Sequence, residues 1–167
     1  MGGPSRGIVR EAMARLDKTM ENSHWDWRNK VERVVEGKLL LTGLECEGEL
    51  QGLVAVASLP RYSCLAPKHT AIYIDYIETA PWNLRIPGPP QFEGVGTLLL
   101  ADAIHHSREL GHEGRVSLHS LPSAESWYRD RCNMTDLGQD PAYYDLRCFE
   151  YTSIAASEWL VAKGVSI

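Results

Sequence analysis

The sequence has no Cys-x-x-Cys pair. Its four cysteines, Cys46, Cys64, Cys132 and Cys148, are widely spaced and its six histidines are scattered. That excludes the usual zinc-ligand spacings and a disulfide framework. The cysteines are expected as reduced thiols, several of them buried. His105 and His106 adjoin on an expected helix and so point about 100° apart, which suits ordinary histidines better than a metal pair. No metal is expected. The sequence has no apolar run long enough to span a bilayer. The opening stretch MGGPSRGIVREAMARLDK holds no apolar segment ahead of a cleavage site, and Arg6 stands where a myristoylation signal needs Ser or Thr. The expectation is a cytoplasmic protein with no membrane partner. Positive charge is not in excess either. The 17 Lys and Arg against 22 Asp and Glu leave a net charge of −5, which makes a nucleic-acid partner held by phosphate contacts a poor fit.

What is present reads as one domain over residues 1–167. Hydrophobic residues make 44% and charged residues 23% of the chain, globular values that exclude wholesale disorder. A chain of this size hides roughly 70% of its extended surface on folding. Helical periodicity covers Pro4–Lys18. A second helix capped by Ser23 carries Trp27, Val31, Val34 and Val35 and ends near Gly37. Residues 1–37 thus form N-terminal helices. Two extended runs, Lys38–Glu47 and Leu50–Leu59, flank Gly48 as an antiparallel hairpin. Arg61–His69 reads as a connection. Thr70–Ala80 is apolar on both faces, like a central strand.

Proline density over Pro81–Pro90 ends that strand. A long helix follows from Gly94 to Leu110, with Leu99, Ala103 and Leu110 on one face and Gly111 as its stop. Arg115–Ser120 is a strand, and Ser123 is expected to cap a helix through Arg131. Tyr143–Tyr151 alternates like a strand. Thr152–Lys163 closes the chain as a helix, within a C-terminal segment 152–167. The order predicts a mixed α/β sheet whose parallel step runs from Thr70–Ala80 through the long helix to Arg115–Ser120.

The strongest local signal is Gln91-Phe92-Glu93-Gly94-Val95-Gly96-Thr97, between a strand and a helix. Glycines there expose successive N–H groups at a helix N-terminus, a geometry that takes phosphate oxygens. It is neither a Walker A loop nor a dinucleotide fingerprint, because no Gly-Lys-Ser/Thr ends it and the third glycine is missing. Read alone, it also fits a tight strand-to-helix turn.

Three motifs in order make the chain resemble the GCN5-related N-acetyltransferases over Lys38–Tyr151. Gln91, Gly94 and Gly96 match the family's Gln/Arg-x-x-Gly-x-Gly/Ala loop. Ile77-Glu78-Thr79-Ala80-Pro81 is similar to its strand-end pattern. Ala124-Glu125-Ser126-Trp127-Tyr128 is similar to its Ala-x-x-aromatic-Tyr. The chain departs from the family at Leu121, where Asn is common, at Cys132-Asn133 in place of Gly-Phe, and in its long Pro81–Pro90 connection. The resemblance implies a mixed α/β sheet with a central parallel pair splayed at the cofactor site, flanked by helices. It also implies acetyl-CoA as acyl donor.

Under that resemblance, Ile77, Thr79, Gln91, Glu93, Gly94, Val95, Gly96 and Thr97 bind cofactor. The strand around Ile77–Thr79 supplies an oxyanion N–H, and Tyr128 protonates the leaving thiolate. Glu78 is favoured as base, with Asp75, His119 or a water as alternatives; the spacing of Asp75 and Glu78 puts them on opposite faces unless a bulge intervenes. Trp25, Trp27 and Trp82 fit an acceptor pocket or, more commonly, core packing or a subunit contact. The acceptor is a small-molecule or protein amine, and a homodimer through Tyr143–Tyr151 is one partner reading. Two rivals share the fold: a catalytically inactive CoA-binding or interaction module, and a toxin that acetylates charged tRNA. A hydrolase built on Cys132 or Ser120 lacks a nucleophile elbow.

Overall fold

The computed structural model describes residues 27–83 and 90–165. The expected Pro4–Lys18 helix, the Ser23 cap, Trp25, the side chain of Trp27 and residues 84–89 of the proline-rich connection lie outside the described residues. Among the described residues the chain runs α1 (Trp27–Val35), β1 (Leu39–Cys46), β2 (Glu49–Ala57), β3 (Arg61–Tyr62), β4 (Thr70–Thr79), α2 (Val95–Glu109), β5 (Val116–Ser120), β6 (Thr135–Asp140), β7 (Leu146–Tyr151) and α3 (Ser153–Ala162). The strands form one seven-stranded sheet in the order β1-β2-β4-β5-β7-β6, with β3 also pairing β4.

The hairpin β1–β2 and the central strand β4 stand where the residue patterns put them. β4 and β5 are the parallel pair, joined by α2. They pair only from Ile72–Ile74 against Val116–Leu118, although β4 continues to Thr79 and β5 to Ser120. Beyond Ile74 the two strands part. A β-bulge lies at the same point. Ala55 of β2 faces Tyr76 while Val56 faces Ile74, so Asp75 is a supernumerary residue. A bulge bends its strand and sharpens the local twist, which is how β4 leaves β5. A second bulge sets Gln51 of β2 between Leu44↔Gly52 and Glu45↔Leu50.

One face of the sheet carries the apolar core. Val54, Ile72, Ile74, Val116, Leu118 and Phe149 pack under Leu99, Leu100, Ala103 and Ile104 of α2 and Ala156, Trp159 and Leu160 of α3. Each fully buried Leu or Ile contributes about 2 kcal/mol. Leu110, expected with Leu99 and Ala103, instead lies just beyond α2 and is exposed, because the helix ends at Glu109. Val35 likewise turns outward from α1.

Four expectations are corrected. Ser123 does not cap a helix through Arg131. Pro122–Ala124 is a 3-10 turn, and Trp127–Arg131 is a π-helical turn whose Cys132 N–H reaches back to the Trp127 carbonyl at 3.0 Å. Tyr143–Tyr151 is not strand throughout. Pro141–Tyr143 is a 3-10 turn, and Tyr144 and Asp145 both have φ of 57° in the left-handed region, so β7 starts at Leu146. The Arg61–His69 connection contains β3, which extends the β2 side of β4. Finally, β6 was not expected. Its sequence TDLGQD is poor in β-formers, and tertiary bonds hold it. Burial works against the Asp136 charge, yet bonds from Arg147, the Gly138 N–H and Arg129 hold its carboxyl below the usual range.

Candidate active site

The parting of β4 and β5 leaves a cleft of about 60 Å³, lined by Ile74, Asp75, Tyr76, Ile77, Leu118, His119, Ser120, Leu121, Ala124 and Tyr128. Tyr128 comes from the π-helical turn and is buried. Its ring meets Trp127 edge-on at 4.9 Å and lies 5.7 Å from Phe149. Burial, with Cys132 adding to it, pushes the phenol above its usual range. It is therefore neutral at every physiological pH and can only donate or share a proton.

At the far end of β4 stands the N-terminus of α2, a helix of 15 residues. Gly94 is its N-cap, with φ 80°, a left-handed conformation that favours glycine. Leu98 N–H closes the first turn on the Gly94 carbonyl at 3.0 Å, and the N–H groups ahead of it point out of the helix end. A Cβ on Gly96 would lie 3.3 Å from the Trp127 ring and 3.7 Å from the Thr79 methyl. The glycine turn, the end of β4 and the aromatic pair Trp127-Tyr128 thus meet at one place. A helix end with two glycines and no side-chain cap at Gly94 fits a phosphate-bearing group.

The residues expected at the cofactor divide in two. Gln91, Glu93, Gly94, Gly96 and Thr97 are partly or fully exposed around the helix end. Ile77 packs on the core opposite Val54, Thr79 stands opposite Gly52, and the Val95 side chain is buried under the sheet, so Val95 can offer only its amide.

The two carboxylates of β4 share a face. The bulge at Asp75 resets the alternation, so Asp75 and Glu78 both lie opposite the core face, with Glu78 across from Leu53. Asp75 accepts from Arg33 of α1 at 3.0 Å, and Arg33 also donates to the Tyr76 hydroxyl at 3.1 Å. Asp75 is thus an ion-paired group that lines the cleft, and Glu78 is half-buried and not among the residues that line it. His119 is held at both nitrogens, with Nδ1 2.9 Å from the Tyr73 hydroxyl and Nε2 3.1 Å from Asp140. It stacks on Tyr143 at 4.1 Å. Trp82 donates its Nε1–H to the buried Gln51 at 2.9 Å. Arg33, Tyr76 and Gln51 were missed, because each acts across more than 30 residues of sequence and no local pattern marks them.

No protein-family model matches the sequence, and no curated protein matches it. Solved structures do. The chain has the fold of the GCN5-related N-acetyltransferases, splayed parallel pair included. It is similar to a putative acetyltransferase of that family from Desulfovibrio desulfuricans, at 14% identity and TM-score 0.61, covering 90% of this chain and 94% of that one. A family member from Brucella melitensis, solved with acetyl-CoA, is similar at 17% identity and TM-score 0.55, covering 91% and 86%. An N-acetyltransferase from Bacillus subtilis, solved with coenzyme A, shows 8% identity and TM-score 0.58, covering 90% and 92%.

Proposed function

We propose that the chain is an N-acetyltransferase that moves an acetyl group from acetyl-CoA to a primary amine by direct attack. One observation carries the reading. Tyr128, a buried neutral phenol, lines the cleft opened by the parting of β4 and β5, and the adjoining Trp127 lies against Gly96 at the glycine-built helix N-terminus. Similar folds solved with coenzyme A or acetyl-CoA support it.

In this reading the backbone amides of Glu93–Thr97 and the exposed Gln91 side chain hold the diphosphate end of the donor. Ile77 and Thr79 flank the chain that enters the cleft, and a β4 amide in that stretch receives the oxyanion. The attacking amine must be neutral, so Glu78 takes its proton, directly or through a water. As the C–S bond breaks, Tyr128 gives its proton to the departing sulfur, which a phenol with a raised pKa does without ionising beforehand. Asp75 is a weaker candidate for the base because Arg33 already occupies it.

Leu121 favours a second reading. It lies on the cleft where the family commonly has Asn, and it cannot bond an amide of the donor. A chain that binds the cofactor without transfer is the reading that substitution supports.

Calorimetric titration of acetyl-CoA, with ATP as comparison ligand, tests the cofactor. Binding of acetyl-CoA alone is expected. Absence of binding by folded protein overturns both readings. An amine screen with Tyr128→Phe then separates them: transfer is expected to fall about a hundredfold in kcat with KM nearly unchanged. Binding without transfer by wild type leaves the second reading.

A further inference from the structure

The glycine turn hangs from β2 by a buried polar clamp. Gln51, the supernumerary residue of β2, is 1% exposed. Its Nε2 donates to the Cys46 and Glu49 carbonyls at 3.3 and 3.1 Å, and its Oε1 accepts from Trp82 Nε1 and Asn83 Nδ2, both at 2.9 Å. Two donors and two acceptors exhaust a primary amide. Its backbone carbonyl accepts from the Ala80 N–H at 2.8 Å and from Asn83 Nδ2 at 3.2 Å. Asn83 then passes the connection on: its Oδ1 accepts from the Phe92 N–H at 2.9 Å. The Gln91 N–H donates to the Trp82 carbonyl at 2.9 Å.

The segment that enters α2 is therefore tied to the central sheet two residues before Gly94. Core packing does not demand this. Val95 and Leu99 already anchor α2 on the apolar face, whereas the clamp ties the turn ahead of the helix to the β1–β2 turn and the end of β4. A phosphate site depends on where its amides point, and an untethered turn must be ordered when the ligand arrives, at a cost in affinity.

Resting on the acetyl-CoA reading, we propose that Asn83, seated on Gln51, is a positioning residue for the diphosphate end of the donor. It touches no ligand and acts through Phe92 and Gln91 on the direction of the Gly94–Thr97 amides. Tyr128 and Glu78 lie outside the clamp, so it governs donor binding and not the transfer step.

Calorimetric titration of CoA and of S-acetylpantetheine, which has the same arm but no diphosphate, into wild type, Asn83→Ala and Trp82→Phe tests this. Thermal melts establish that each variant is folded. Asn83→Ala is expected to weaken CoA about tenfold and to leave S-acetylpantetheine within about twofold. Trp82→Phe, which removes one donor and keeps the ring, is expected to shift CoA in the same direction by a smaller factor. In turnover, KM for acetyl-CoA rises and kcat holds. CoA affinity unchanged in Asn83→Ala overturns the proposal, and so does an equal loss for both ligands, which marks a general structural role. Should Asn83→Ala fail to fold, Trp82→Phe decides: a selective loss for CoA supports the proposal, and no shift, or an equal one for both ligands, overturns it. Wild type that binds neither ligand overturns the acetyl-CoA reading and the clamp's role together.

Discussion

The two faces of the central sheet are built by different means. Under α2 and α3 the sheet meets an apolar layer, in which Ile72, Leu100, Ile104, Phe149 and Leu160 are buried. On the other face, polar and aromatic groups join in chains. Arg61 lies 3.4 Å over the Tyr73 ring, Tyr73 meets His119, and His119 meets Asp140. Beside them the buried Glu150 accepts from the Ser63 hydroxyl and from the Cys64 and Leu65 N–H groups. The first face is governed by volume and tolerates shape changes of modest size. The second is governed by pairing, so the loss of one partner strands the rest. The cleft lies between them, with Tyr128 from the apolar side and Asp75 from the polar side.

The largest effect that separates the faces is expected at Glu150. Glu150→Ala strands a hydroxyl and two amides and should lower stability by about 3 kcal/mol in urea unfolding. A loss below about 1 kcal/mol would mean the polar face is not governed by pairing. On the apolar side the matching test is Gly52→Ala. A Cβ there would stand 2.8 Å from the Glu78 carbonyl and from Leu99, and 2.9 Å from Val95. Overpacking of this kind costs about 2 kcal/mol, and a neutral result would show that α2 can lift away from β2.

Alkali probes both faces together. Burial raises the thiols of Cys132 and Cys148 from 9.0 to about 12. The folded protein thus keeps protons that the unfolded chain gives up above pH 9, so this contribution is complete below that pH and is lost as pH climbs towards 12. The melting temperature should decline progressively over that window, and a flat profile would contradict the burial of the two thiols. The smallest contrast compares them singly. Cys132 sits in the apolar cluster, while Cys148 pairs with His119 and shares the face of Glu150. Cys132→Ser should cost about 1–2 kcal/mol and Cys148→Ser about 0.5 kcal/mol or less, because only the first places a hydroxyl among apolar groups. Equal costs would erase the distinction between the faces.

How much of this was legible depends on the range of the forces. The α2 helix, its glycine start and the β1–β2 hairpin follow from neighbours in the sequence, and so does Tyr128, which stands in a short local pattern. Strand β6 does not, since Thr135–Asp140 has little strand propensity and is held by Arg129 and Arg147 from other elements. The π-helical turn was hidden behind Ser123, which looks like a cap; Pro122 starts a 3-10 turn ahead of it, and the Cys132 N–H then skips one residue further back than an α-helix would. Gln51 and Asn83 are 32 residues apart, and neither type announces a pairing at that distance. Asp75 and Glu78 stand three residues apart in an alternating strand, and only the pairing of β4 with β2 reveals the residue that resets them.

That supernumerary residue has a consequence for how such a cleft originates. Delete Asp75 and every other side chain of β4 keeps its face, because Ile74 and Tyr76 already oppose neighbouring residues of β2. What disappears is the bend. β4 would run straight, its pairing with β5 would continue beyond Leu118, and the slot would zip shut. An opening in a closed sheet therefore needs neither a new loop nor a rearranged core. One inserted residue suffices, and chain length at that position is as much a part of the design as the identity of any side chain around it.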